Sequence, residues 1–485
     1  MSCPLIIRYL FRVSMIIISF GLGFTSIFAG SKFSYQESDS VNEFLIVRDV
    51  IISGNKITRN NIIQRELIFR ENDTLPASDL HSMLAESQRN VFNTNLFNFV
   101  TVAAIYQSGT RLIDISVKVV ERWYIWPIPF LEIADRNFNV WLESRDLSRL
   151  TYGVDFTFYN LRGRNETLKI LTHLGYNQLY GFTYKAPYIN RQQTLGIKFG
   201  FDFELNHEVA AFTRNNKPVF IKNNQDYLQR KWVAFGDLLI RRDFYNTNNI
   251  SFEYSQYQFS EQVDSIPGFL YSSSAPQKFF SLTWFFKNDR RDVQFYPLNG
   301  YYLDVEVRHT IPYAVARNSY FKGNFRIYKK LLNRWFFAAG ISGKLTFAKQ
   351  QPYFMQRGLG YGRDFVRGYE YYVVDGQHYA LLKSNMKFAL VPPRIERIGF
   401  LRSMKFNTIP WALYLNAFTD AGFVYKYSDS EDDGYSSGNT LENQFLIGFG
   451  IGLDLATYYD IVIRLESAIN GLGQPGVYLH FMAPI

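Results

Sequence analysis

From Trp123 to the C-terminus the chain repeats one pattern: short runs in which apolar and polar residues alternate, with no helical spacing between them. In Tyr301–His309, Tyr301, Leu303, Val305 and Val307 alternate with Tyr302, Asp304, Glu306 and Arg308. Phe445–Leu455 sets six apolar residues against Gly448, Gly450, Gly452 and Asp454, and Ile461, Ile463 and Leu465 oppose Arg464 and Glu466. A two-residue period sends alternate side chains to opposite faces of a strand. About sixteen such strands are expected, an even number of the kind bacterial barrels use.

Periodicity alone fits a soluble sandwich with its apolar face inward or a membrane barrel with that face outward. Composition favours the barrel. The chain has 485 residues, 18% of them aromatic, with 34 Tyr and 45 Phe. Such an excess suits a wall whose outer band ends in aromatic girdles. Beyond the N-terminus no stretch reaches the roughly 20 apolar residues of a spanning helix. A chain like this crosses a membrane only as closed strands, because lipid offers backbone groups no hydrogen bonds. The net charge of +9 is dispersed, without a Lys/Arg block, which argues against nucleic acid as a partner and suits contact with anionic lipid headgroups.

The N-terminus has a different logic. Arg8 and Arg12 precede an uncharged run from Val13 to Ala29. This charged-then-apolar layout predicts a secretory signal peptide over 1–29, with an uncleaved anchor as the rival reading. The only cysteine, Cys3, lies inside it, so the mature chain has neither disulfides nor thiol chemistry. A polar linker follows over 30–42, then a compact unit over 43–122, then the barrel over 123–485. In the compact unit, strand Phe44–Ile52 closes at Ser53-Gly54-Asn55. Thr58 is placed to cap a short helix through Leu67, and Ser78 to cap a second carrying Leu80, Met83, Leu84, Ser87 and Val91. Two strands, Phe97–Tyr106 and Leu112–Val120, complete a β-α-α-β-β order.

Two further segments carry charges that a barrel has to place. The long connection 349–376 contains Gly358-Leu359-Gly360-Tyr361-Gly362 and then Val366-Arg367-Gly368-Tyr369. The strand Trp411–Tyr425 has apolar Trp411, Leu413, Leu415 and Phe423 at odd positions, so Asp420 and Gly422 face the lumen. An arginine fork suits a carboxylate, and buried charges are costly unless paired; the bland alternative leaves Arg367 to solvent or another loop. A second long connection spans 207–227, and both are expected on the outer side of the membrane. Asp429 to Asn439 forms a third, acidic and solvated. In the first barrel strand, Trp123–Ile133, Pro127 and Pro129 remove two donors from one edge, if they lie in the strand rather than the linker before it. The six histidines make no metal-ligand spacing, and no nucleophile–base cluster appears. His173 alternates within a strand and reads as a lumen or interface residue.

The Ile52-Ser53-Gly54-Asn55 turn, Leu96-Phe97-Asn98-Phe99-Val100 and Val119-Val120-Glu121 resemble a POTRA domain of the BamA/TamA-type outer-membrane assembly superfamily. Val366-Arg367-Gly368-Tyr369 and Phe418-Thr419-Asp420-Ala421-Gly422 resemble that family's loop and strand motifs. Asn160–Glu166, Thr183–Tyr188 and Asp289–Asp292 with Pro297 and Gly300 resemble its turns, in order. The C-terminal Phe481-Met482-Ala483-Pro484-Ile485 departs from the family in lacking a terminal aromatic.

The resemblance implies a mostly β fold, a sixteen-stranded antiparallel transmembrane barrel behind one periplasmic α+β POTRA domain. It implies a loop folded into the lumen with Arg367 on Asp420. Separately, if the edge carrying Pro127 and Pro129 meets the last strand, the closing seam is under-bonded and can open sideways. The implied function is a non-enzymatic insertase or translocase of the cell outer membrane, without cofactor or metal. Its partners would be client outer-membrane or secreted polypeptides, membrane lipids, and accessory lipoproteins or periplasmic chaperones. The alternatives are a substrate-specific pore or a lipid-transport barrel; a membrane-embedded hydrolase lacks its nucleophile.

Overall fold

A computed structural model describes residues 44–133, 150–270, 276–312, 318–399, 403, 405–427 and 437–481. The expected leader and linker, and most of the acidic connection, lie outside them.

The N-terminal unit has four strands: β1 (Phe44–Ser53), β2 (Thr74–Pro76), β3 (Phe97–Tyr106) and β4 (Leu112–Glu121). They form one sheet in the order β2-β1-β4-β3, with β1 and β4 parallel and the other pairs antiparallel. Helices α1 (Asn60–Gln64) and α2 (Leu80–Phe92) cover one face. The alternation of β4 does what its sequence requires: Ile113, Ile115 and Val117 have no exposed surface and pack with Val47, Ile63, Val91 and Phe97. Burying each such side chain stabilises the fold by about 1.5–3 kcal/mol.

Three details differ from the sequence reading. The three-residue β2 is an extra edge strand. Helix α1 ends at Gln64 rather than Leu67, and its N-cap is Arg59, because the Thr58 hydroxyl is drawn to Glu121 Oε1 at 2.8 Å. The second helix has Asp79, not Ser78, at its N-cap, with no side-chain bond there; Ser78 donates to Asp79 instead.

The barrel wall begins with β5 (Ile125–Ile133), β6 (Leu150–Leu161), β7 (Glu166–Gly175), β8 (Gln178–Ala186) and β9 (Leu195–Asn206). A separate hairpin follows, β10 (Glu208–Arg214) with β11 (Lys217–Lys222). The wall resumes with β12 (Gln229–Ile240), β13 (Asn246–Phe259), β14 (Gln277–Asp289), β15 (Gly300–Ile311) and β16 (Tyr320–Lys330). It ends with β17 (Trp335–Thr346), β18 (His378–Arg397), β19 (Thr408–Tyr425), β20 (Phe445–Thr457), β21 (Ile461–Asn470) and β22 (Pro475–His480).

These sixteen wall strands form one antiparallel sheet in sequence order, the number that the alternation predicts. Outward residues such as Phe445, Ile447, Phe449 and Ile451 are exposed, whereas Asp454, Arg464 and Glu466 are buried inside. That is the inverted sidedness of a membrane barrel. The connection around 207–227 is not an open loop: it forms the β10–β11 hairpin, because Val209 and Ala211, with Phe212 at a bulge beside them, find apolar partners in Val263, Ile266, Phe269 and Tyr353.

The N-terminal domain sits against the turns at one mouth of the barrel. Glu66, 1% exposed, receives two bonds from Arg241 at 2.7 and 2.8 Å and one from the Tyr188 hydroxyl at 3.3 Å. Arg122 forks onto Asp460 at 2.6 and 3.0 Å. Asn98 donates to the Lys405 carbonyl, Asn93 to that of Asp292, and the Arg59 amide to that of Gly163. Turns between β6 and β7, β8 and β9, β12 and β13, β14 and β15, β18 and β19, and β20 and β21 all take part. The long connections emerge at the opposite mouth.

Candidate functional site

The connection from β17 to β18 turns back into the lumen, and its tip is held by the wall. Asp420 lies on the inward face of β19, between Phe418 and Gly422. The Arg367 Nε donates to Asp420 Oδ2 at 2.8 Å, Nη2 to Oδ1 at 2.6 Å, and the Arg367 amide to Oδ2 at 3.2 Å. Neither side chain has exposed surface. The guanidinium also lies 3.8 Å from the centre of the Phe418 ring, a cation–π contact that shields it.

Backbone proximity explains the glycines. A Cβ on Gly448 of β20 would stand 1.8 Å from the Arg367 carbonyl oxygen, and one on Gly422 would stand 2.6 Å from Val366 Cγ2. Gly368 has φ of +96°, a left-handed backbone that favours glycine. Val366 and Tyr369 are buried with Leu359, Val374, Leu381, Val424 and Leu446. The loop tip is a small core of its own.

The structure adds partners that the sequence reading did not single out. Arg367 Nη1 donates to Glu466 Oε1 of β21 at 3.1 Å. Deeper in the lumen, Arg464 forks onto Asp454 at 2.6 and 2.7 Å, and Asp454 also accepts from Asn416 and from the Tyr296 hydroxyl. The alternation of β21 puts Arg464 and Glu466 on the lumen face of a barrel; only the folded wall shows which groups they meet. His173 lies between Asp155, at 2.8 Å, and the stacked ring of Phe130, so it is an interior structural contact.

The loop also reaches the last strands. The Gly368 carbonyl accepts from Asn470 of β21 at 3.0 Å and from the Tyr478 hydroxyl of β22 at 3.4 Å. The Tyr369 hydroxyl accepts from the Gly471 amide, Tyr371 packs on Tyr478, and Phe365 stacks on His480.

Pro127 and Pro129 lie within β5, not in a linker before it. The Tyr159 amide donates to the Tyr124 carbonyl at 2.7 Å, which fixes the parity of the strand. Residues 124, 126, 128 and 130 direct their backbone groups to β6, so 127 and 129 direct theirs to the free edge. That edge therefore lacks two donors. The sheet order ends with β22 on one side and β5 on the other, and no ladder joins them among the described residues. At the mouth near the N-terminal domain, the T-shaped pair Trp126 and Tyr459, 5.0 Å apart, brings β5 to the turn before β21.

Comparison with known proteins places this architecture. The family described as "Omp85 superfamily domain" matches residues 160–387, and the POTRA family, "Surface antigen variable number repeat", matches 45–122. The chain is 24% identical over 180 residues to the outer membrane protein assembly factor BamA of Neorickettsia risticii. That stretch is 37% of this chain and 20% of the relative, so the match spans about a fifth of the relative's length. Among solved structures, CdiB from Escherichia coli aligns with a TM-score of 0.50 at 10% identity, over 90% of this chain and 75% of that one. BamA from Haemophilus ducreyi lacking POTRA domains 1–3 aligns at 0.47 and 16% identity, over 90% and 83%. The CdiB likeness agrees with the fold, and the two family matches fall in order along the sequence. Residues 160–387 thus carry an Omp85 superfamily domain, behind a POTRA domain over 45–122.

Proposed function

We propose that the protein inserts or translocates client polypeptides at the bacterial outer membrane, with its POTRA domain in the periplasm and without covalent catalysis. The observation that carries this reading is the edge of β5, short of two donors and at the opposite end of the sheet from a β22 only six residues long, with no ladder between them among the described residues. An under-bonded edge can accept a client strand in place of a wall strand. The clasped loop, bonded to β21 and β22 through Gly368, keeps the other side of the seam in shape while β5 is exposed. Strand β3 offers a second edge, free in the POTRA sheet, with Ile105 and Tyr106 exposed at its end.

Reconstitution tests this. The purified protein in liposomes is expected to speed folding of an unfolded barrel client, read as the appearance of a compact, heat-modifiable band. Client folding no faster than in empty liposomes, together with a large steady conductance, would favour a substrate-specific pore.

A further inference from the structure

Between the POTRA domain and the barrel mouth lies a cavity of about 610 Å³. Six cationic side chains line it against three carboxylates. Two of the cations are spoken for: Arg241 is bound by Glu66 and Arg291 by Asp289. Lys185, near the end of β8, and Lys287, near the end of β14, are not. Neither ammonium group has a hydrogen-bond or ion-pair partner among the described residues. The charges that bear most on Lys185 are themselves cations, Lys287 first and then Lys198 and Arg241. Arg290, stacked on the Tyr245 ring, and Arg89 of α2 add positive charge from the turn and from the POTRA side.

Asp289, the charge that bears most on Lys287, is itself held by Arg291, and six cations against three carboxylates leave an excess of positive charge whose repulsion is relieved when an anion enters. The remaining lining is amide-rich: Asn90, Asn93 and Asn95 from the end of α2, with the Asn90 Nδ2 buried and unbonded. Carboxamides pair with peptide groups, and ammonium groups with carboxylates. The cavity thus offers donors for both parts of an acidic peptide. A free phosphate accepts from ammonium and amide N–H groups alike but gives the carboxamide oxygens no donor, whereas a peptide's N–H groups do.

We propose that this junction is a binding site for an acidic, extended polypeptide segment, held by Lys185 and Lys287 between the POTRA domain and the lumen. The site rests on the client-handling reading above and deepens it: it states which client segments are favoured at the mouth. Because the contacts are charge pairs in a wet cavity, binding weakens as salt rises.

The test uses the full-length protein in nanodiscs and a fluorescent peptide of alternating Glu and Ser, compared with its Gln counterpart. The acidic peptide is expected to bind about tenfold more tightly or better, with the preference fading as salt rises. Lys185→Gln/Lys287→Gln should abolish the preference, and Lys185→Arg/Lys287→Arg should keep it. Should the Gln pair fail to fold, Arg89→Gln on the POTRA surface is expected to reduce the same preference. Equal binding of the two peptides, or a Gln pair that folds and keeps the preference, overturns the proposal. So does inorganic phosphate that displaces the peptide at equal concentration, which would mark a small-anion site. Loss of peptide preference with client folding intact sinks this site alone; peptide preference without any client folding sinks the functional reading instead.

Discussion

Arg367 and Asp420, 53 residues apart in sequence, form a two-pronged ion pair at 2.6 and 2.8 Å with no exposed surface on either side chain. Removing one partner strands the other. Asp420→Ala is expected to destabilise the barrel by about 3–5 kcal/mol, read in urea unfolding, with Glu466 left to carry part of the arginine's charge. The double variant Arg367→Met/Asp420→Leu should regain most of that stability while client folding stays impaired. A double variant restored in both would show that the clasp serves stability alone.

Gly448 has no room for a methyl group beside the Arg367 carbonyl. Gly448→Ala should therefore push the loop tip off the wall without touching any charge. Limited proteolysis is expected to cut within 349–376 in the variant and to spare the wild type. An uncut variant with wild-type conductance would contradict the packing described.

Glu66 ties the POTRA domain to the barrel through Arg241 and Tyr188. Glu66→Ala leaves Arg241, whose side chain is 25% exposed, with water as its substitute partner. The cost is accordingly at the lower end for a broken buried pair, about 2–3 kcal/mol. Hydrogen exchange should quicken in α1 and in the turn after β12, and not in β19. Unchanged exchange at α1 would mean that the docking rests on the other turns.

Hydrogen bonds from Arg48 at 2.5 and 2.8 Å hold the Asp114 carboxyl below its usual range, outweighing burial, with Gln107 adding to the effect. A carboxylate depressed in the folded state contributes stability above its unfolded pKa of about 3.9, and that contribution is lost as pH falls through the folded value. Exchange protection across the β1–β4 ladder should therefore fall below about pH 4. Asp114→Asn should lower protection at neutral pH and flatten the acid dependence. A variant with the wild-type acid profile would assign the transition to another group.

Much of this was readable from the chain because strand alternation is local. Parity, once the wall is read as a membrane barrel, turns Asp420, Arg464 and Glu466 inward, and the motif pair names Arg367 as the partner of Asp420. What stayed hidden depends on closure. Glu466 meets Arg367, and Glu66 meets Arg241, only once strands far apart in sequence are brought round a ring. Helix caps failed for a related reason: Thr58 had the right chemistry for a cap, but Glu121 at the end of β4 offered its hydroxyl and amide a better acceptor. The prolines of β5 were legible as missing donors, whereas their direction toward the free edge needed the bond from Tyr159 to Tyr124.

The seam itself is open to direct test. Cysteine pairs placed along Ile125–Ile133 and Pro475–His480, in a Cys3→Ser background, can be oxidised to lock β5 to β22. The locked protein is expected to fold and to lose client folding by about tenfold or more, with recovery on reduction. Full client folding with the two strands covalently joined would contradict the proposal that the barrel works through this edge.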